Sequence, residues 1–205
     1  MKTVAISILG TTMDRRGKGD KRWEKWRPTV SMCQHDDLII DRLELLFDNH
    51  SLNLANQVKD DIAQVSPETQ VVFHSANFHA PWDFESVYST LLDFARSYHF
   101  NLQDERYLIH ITTGTHVAQI CLYLLTEAGY LPGHLLQTSP AKPPSQTPGQ
   151  YQIIDLDLSK YDQIASRFQK EHDEGTAHLK GGINTLNAAF NQMIGQLEQV
   201  SIPRP

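Results

Sequence analysis

The chain has 205 residues, 40% hydrophobic and 20% charged, which suits one α/β domain with a full core plus some extra length and leaves two complete domains a tight fit. A formal net charge of −6 gives no ground for non-specific binding to nucleic acid or membrane, so any anion site must be local. Cys33 and Cys121 lie far apart, no apolar run reaches membrane-spanning length and MKTVAISILG is too short for a signal peptide, so a reduced, cytoplasmic protein is expected.

Residues 4–9 form a short apolar run closed by Gly10, the pattern of a strand buried on both faces. Residues 42–48 (RLELLFD) predict a second strand, and residues 51–65 a helix with Leu52, Ala55, Val58, Ile62 and Val65 on its stripe. A third strand is expected at 70–74. Asp83 is placed to cap the next helix, whose stripe is Phe84, Val87, Leu91, Ala95 and Tyr98. Residues 107–111 predict a fourth strand, and the helix after it is expected to bury Val117, Ile120, Cys121, Leu124, Leu125 and Ala128 before stopping at Gly129. A fifth strand falls near 134–137, then the Pro-rich connection SPAKPPSQTPG, then a strand over 151–156. Residues 158–179 are polar and charged, a solvated connector. After Asn184 an amphipathic stripe follows: Leu186, Ala189, Phe190, Met193, Ile194, Leu197 and Val200.

Alternating strands and helices predict a doubly wound, Rossmann-like α/β domain: a mostly parallel sheet covered by helices on both faces. In the usual order of such sheets, strands one and four are neighbours, and the loops leaving their C-terminal ends open on one crevice.

Two loops there are suited to anions. Residues 10–28, GTTMDRRGKGDKRWEKWRP, carry Arg15, Arg16, Lys18, Lys21, Arg22, Lys25 and Arg27 with Trp23 and Trp26 between them. Guanidinium forks and ammonium charges suit phosphates, and an indole face can stack on a base. The plainer reading is an exposed loop with its tryptophans folded back on the core. The second loop is ITTGTHVA, residues 111–118. Gly114 permits close backbone approach, the first-turn amides and the helix dipole favour an anion by about 0.3 to 1 kcal/mol, and Thr112, Thr113 and Thr115 add hydroxyls. The plainer reading there is one threonine capping a helix.

His110 and His116 flank that turn. Histidine can move a proton near neutral pH, so the pair admits a role in phosphodiester cleavage. The alternatives are a hydrogen-bonded core histidine at 110 and a phosphate donor at 116. No two histidines are spaced two or four apart, the two cysteines have no paired spacing, and no GxGxxG, GxxxxGK[ST] or GxSxG motif occurs. Neither a metal nor a cofactor is expected.

The threonine-rich loop after strand one and the strand-TTGTH-helix turn after strand four resemble the CARF family of ligand-sensing domains. The stretches SILGTTMD, GKGDKRWEKWRPTVSMCQHDDLIIDRLELLFD, HITTGTHVAQICLYLLTEAGYLPGHLLQTSP and NAAFNQMIGQLEQV resemble the N-terminal regulatory portion of the RtcR family. Members of that family are sigma-54-dependent activators of bacterial RNA repair. This resemblance implies a CARF domain over residues 1–158, a helical linker over 159–183, and the leading helix of an AAA+ ATPase domain over 184–205. It implies a homodimer whose paired crevices bind RNA ends, such as a 2′,3′-cyclic phosphate. The ligand contacts would come from Gly10, Thr11, Thr12, Thr112, Thr113, Gly114, Thr115 and His116. Charge and position add Arg15, Lys18, Trp23 and Arg27. The ligand would act on the downstream ATPase, while this stretch alone would neither hydrolyse ATP nor bind DNA, and no membrane is involved. Two other readings stand beside this one: a CARF-type nuclease using His116 and Thr113 on cyclic oligoadenylate or RNA, and a dimerisation or autoinhibition module without ligand.

Overall fold

The computed structural model describes residues 1–141 and 148–154. The expected boundary at 158, the linker over 159–183, the segment 184–205 and the last two residues of the sixth strand lie outside the described residues.

Six strands, β1 (Lys2–Ile8), β2 (Arg42–Phe47), β3 (Gln70–Ser75), β4 (Glu105–His110), β5 (His134–Ser139) and β6 (Gln150–Ile154), form one sheet in the order β3-β2-β1-β4-β5-β6. The first five are parallel, and β6 returns antiparallel to β5. Helices α1 (Pro28–Ser31), α2 (Leu52–Val65), α3 (Phe84–Ser97) and α4 (His116–Glu127) cover the sheet, giving the Rossmann-like α/β architecture expected. Two 3₁₀ turns, Gly19–Glu24 and Asn49–Ser51, fill the loops after β1 and β2.

Side chains alternate across a strand, so the continuous apolar run of β1 fills two cores. Val4, Ile6 and Ile8 pack with Val87 and Leu91 of α3 and with Cys121, Leu122 and Leu125 of α4. Ala5 joins Leu43 and Leu45 of β2 and Leu54, Ala55, Val58 and Ile62 of α2. Burying each such Leu or Ile contributes about 1.5–3 kcal/mol.

Asp83 caps α3 by accepting the Ser86 amide at 2.8 Å, and Gly129 follows α4 with φ +76°. The faces of α4 and α2 differ from expectation, and on α3 Phe84 of the expected stripe is exposed. On α4, Ile120 and Leu124 are 52% and 38% exposed and Ala128 is exposed too, while Ala118 and Leu122 are buried. The helix is apolar on more than one side, so period alone cannot choose its inner face. Small Ala118, beside Gly114, selects it by letting the helix start approach the sheet. On α2, Leu54 is buried while Leu52 is exposed, and the inner face also carries Asp61. Among the described residues no helix is long and apolar enough to cross a membrane.

Candidate ligand-binding crevice

Strands β1 and β4 are adjacent, with Ser7 opposite His110, so the loops after them meet at the switch point of the sheet. The first loop folds back at once. The Asp14 amide donates to the Gly10 carbonyl (2.8 Å), and the Gly10 amide donates to Asp14 Oδ2 (2.9 Å). Thr29 adds its amide (3.0 Å) and hydroxyl (2.6 Å) to the same carboxylate. Burial pushes the Asp14 carboxyl above its ordinary range, against the pull of those hydrogen bonds. A Cβ at Gly10 would lie 2.7 Å from Asp14 Oδ2 and 3.0 Å from Thr113 Cγ2, so only glycine lets the two loops come this close.

The second loop turns at Gly114, with φ +85°, and Thr115 caps α4 by accepting the Ala118 amide at 3.1 Å. The three threonine hydroxyls expected to face a ligand are already engaged. Thr115 also donates to the Pro81 carbonyl (2.8 Å). Thr112 Oγ1 accepts the Thr138 amide (2.7 Å) and donates to its carbonyl (3.2 Å). Buried Thr113 stands 3.4 Å from Ser7 Oγ. His110 is a core residue: Nδ1 meets Ser7 Oγ at 2.8 Å and Nε2 meets Thr138 Oγ1 at 3.0 Å. Burial pushes its pKa down to about 3, which keeps the imidazole neutral.

Between the loops lies a cavity of about 420 Å³. Its floor and one wall are Ile8, Leu9, Gly10, Thr11, Thr12 and Met13, and the turn from Thr112 to Thr115 with Ala118 forms another. Among the described residues, the amides of Thr11, Thr12 and Met13, and those of Thr113, Gly114, Thr115 and His116, make no hydrogen bond. Loose amides at a helix start and in a tight turn are suited to anions.

The opposite side was not anticipated. Phe47 and Asp48 come from the end of β2, while Phe78, Pro81 and Trp82 come from the loop after β3. Trp82 is 71% exposed. Two signals were present in the sequence: Asp48 directly follows the second strand, which borders the first, and the aromatic stretch NFHAPWD precedes a helix cap.

The basic loop behaves differently from its expected role. Arg27 is only 3% exposed; its Nε donates to the Asp14 carbonyl (2.8 Å) and its Nη1 pairs with Asp61 (2.5 Å). Its buried partner draws it inward and away from the cavity, correcting its expected place as a ligand contact. Arg22 joins Asp61 at 2.9 Å and covers the half-buried Trp23 ring at 5.1 Å, so Trp23 packs on the core and offers no face to the cavity. Trp26 Nε1 donates to Ser31 Oγ (3.1 Å), and Ser31 in turn donates to the Pro148 carbonyl, tying the loop to the approach to β6. Arg15, Lys18 and His116 are exposed and lie outside the cavity lining. Gly10, Thr11, Thr12, Thr112, Thr113, Gly114 and Thr115 are brought together around it.

Known proteins resemble this chain in fold or in sequence. The solved structure of Enterococcus italicus Csm6, bound to cyclic hexa-2′-fluoro-hexa-dAMP, is similar at a TM-score of 0.54 and 18% identity. That likeness covers 80% of this chain and 43% of Csm6, and it is one of fold. Can2 from Sulfobacillus thermosulfidooxidans, in complex with cyclic tetra-adenylate, is similar at a TM-score of 0.46 and 9% identity over 75% of this chain and 37% of Can2. In sequence, the chain is 56% identical over 203 residues to the transcriptional regulatory protein RtcR of Escherichia coli K12. The match takes in 98% of this chain and 38% of that protein, so the chain spans about two fifths of the relative's length. A family model described as regulator of RNA terminal phosphate cyclase matches residues 1–182, and with that match the chain belongs to the RtcR family.

Proposed function

We propose that this is a regulatory sensing domain that binds an RNA end, with a 2′,3′-cyclic phosphate as its ligand group, in the crevice between the loops after β1 and β4. One observation carries the reading: two sets of amides without a partner among the described residues, at Thr11–Met13 and Thr113–Thr115, border one cavity at the switch point. The relative's description as a transcriptional regulator, and its greater length, support control of a further domain, which in this reading is a downstream AAA+ ATPase, with binding shifting the populations of two states of the protein. The outward apolar side of α4, with Ile120, Tyr123 and Leu124, supports pairing of two copies through this domain.

Sensing is favoured over cleavage by the position of the groups that cleavage would need. His116 lies outside the lining, His110 is buried and neutral, and the Thr113 hydroxyl lies towards Ser7. The test is a titration with one RNA sequence ending in a 2′,3′-cyclic phosphate, a 3′-phosphate or a 3′-hydroxyl, with chromatography of the RNA afterwards. Preferential binding of the cyclic end with intact recovery is expected. Equal affinity for all three ends would sink the proposal.

A further inference from the structure

Among the described residues, the cavity has the donors of an anion site and none of the cations. Of these residues no lysine, arginine or histidine lines it, and Asp48 is the one ionisable side chain that does. Asp48 is held in place at the end of β2, where its Oδ1 accepts the His50 amide at 2.9 Å. Among the described residues its second oxygen has no partner. Much of the remaining wall is apolar, including Ile8, Phe47, Val87 and Trp82.

Such a site responds steeply to ligand charge. Neutral amide dipoles stabilise a first negative charge, while repulsion from a fixed carboxylate grows with every further charge and is strengthened by apolar, weakly polarisable walls. Near pH 7 a phosphodiester, open or cyclic, carries one negative charge, whereas a phosphomonoester carries about 1.5 to 2. The geometry points to a site selective for phosphodiesters, in which Asp48 is the specificity-determining residue that turns away terminal phosphomonoesters. This inference rests on the crevice being the RNA-end site proposed above. It adds what distinguishes a cyclic from an opened terminal phosphate there: the ligand's charge, set against one carboxylate.

The bland role for Asp48 is to cap the three-residue turn that follows it. Asp48→Asn and Asp48→Ser keep a capping acceptor and remove the charge, so they separate the two roles. The experiment measures Kd for the 205-residue chain and both variants. The probe is one RNA sequence ending in a 2′,3′-cyclic phosphate, a 3′-methyl phosphodiester, a 3′-phosphate or a 3′-hydroxyl, and melting curves confirm folding. In the unaltered chain both diesters should bind about tenfold or more tighter than the monoester. Each variant should tighten monoester binding about tenfold while moving the diesters by no more than about twofold. A monoester that stays weak in both folded variants overturns the role of Asp48 and leaves the RNA-end reading standing. A methyl diester as weak as the monoester means that ring shape is recognised instead of charge, which also overturns the inference. Equal binding of all four ends to the unaltered chain overturns the RNA-end reading and this inference together.

Discussion

At the N-terminal ends of the strands, Arg42 donates to Glu44 (2.6 Å) and to both oxygens of Glu105 (2.6 and 2.9 Å). Tyr98 donates to Glu44 at 2.6 Å, and His74 Nε2 meets the same carboxylate at 2.7 Å. At the C-terminal ends, six backbone amides border the cavity without a partner among the described residues, and Asp48 keeps one oxygen open. The first region is a closed network: burial pushes the Glu44 carboxyl up, but the hydrogen bonds from His74, Tyr98 and Arg42 outweigh it and hold the group below its ordinary range. The second is open. A cluster of charges whose valences are filled within the protein supports the architecture, whereas loose polar groups around a cavity are available to a guest. By charge alone the two regions would be ranked the other way round.

The contrast breaks most visibly at Glu44. Glu44→Ala takes the buried carboxylate away from Tyr98 and His74 and leaves Arg42 with Glu105 as its one carboxylate, and should cost about 3–5 kcal/mol of stability, measured by urea unfolding. RNA affinity of the fraction that remains folded should be unchanged.

The next effect comes from His110, a closed group beneath the open region. Above the unfolded-state pKa, both folded and unfolded chains hold a neutral imidazole. Below it the unfolded chain takes up a proton that buried His110 refuses until about pH 3. Stability is therefore fully present above that ordinary histidine range and falls steadily as pH drops towards 3, by a few kcal/mol. His110→Gln should flatten that acid slope in unfolding curves taken across the same window.

Trp82 gives the smallest stability effect and sharpens the comparison from the open side. Its exposed ring at the cavity is placed to stack on a base. Trp82→Ala should leave stability within about 0.5 kcal/mol while weakening RNA binding by about 1–3 kcal/mol, read by titration beside a melting curve. An unchanged affinity would remove Trp82 from the ligand contacts.

Much of the architecture could be read along the chain because its signals are local. The apolar run of β1, the cap at Asp83, the stop at Gly129 and the TTGT turn between β4 and α4 each depend on a few neighbouring residues. The inner face of α4 was not legible, since Ile120 and Leu124 are as apolar as Leu122 and Leu125 and only packing separates them. Nor was the fate of the basic loop: Arg27 is drawn inward by Asp61, a residue 34 positions away on α2. The candidate site was half legible. Gly10 to Thr12 and Thr112 to Thr115 were marked by small and hydroxylated residues after two strands, while Asp48 and Trp82 carry only the weaker signals of a residue that follows a strand and an aromatic stretch before a helix cap.

By itself the sequence determined where strands, helices and tight turns fall and, through the alternation of those elements, which loops share the switch point. These follow from periodicity and from the conformational freedom of glycine, which act over a few residues. Only the tertiary structure decided which charges are engaged and which groups stay open, because a side chain's role depends on partners brought beside it from distant parts of the chain. Thus Arg27 became part of the core, the hydroxyls of Thr112 and Thr115 became braces, and the amides around Gly10 and Gly114, with Asp48 opposite, were left to face the cavity.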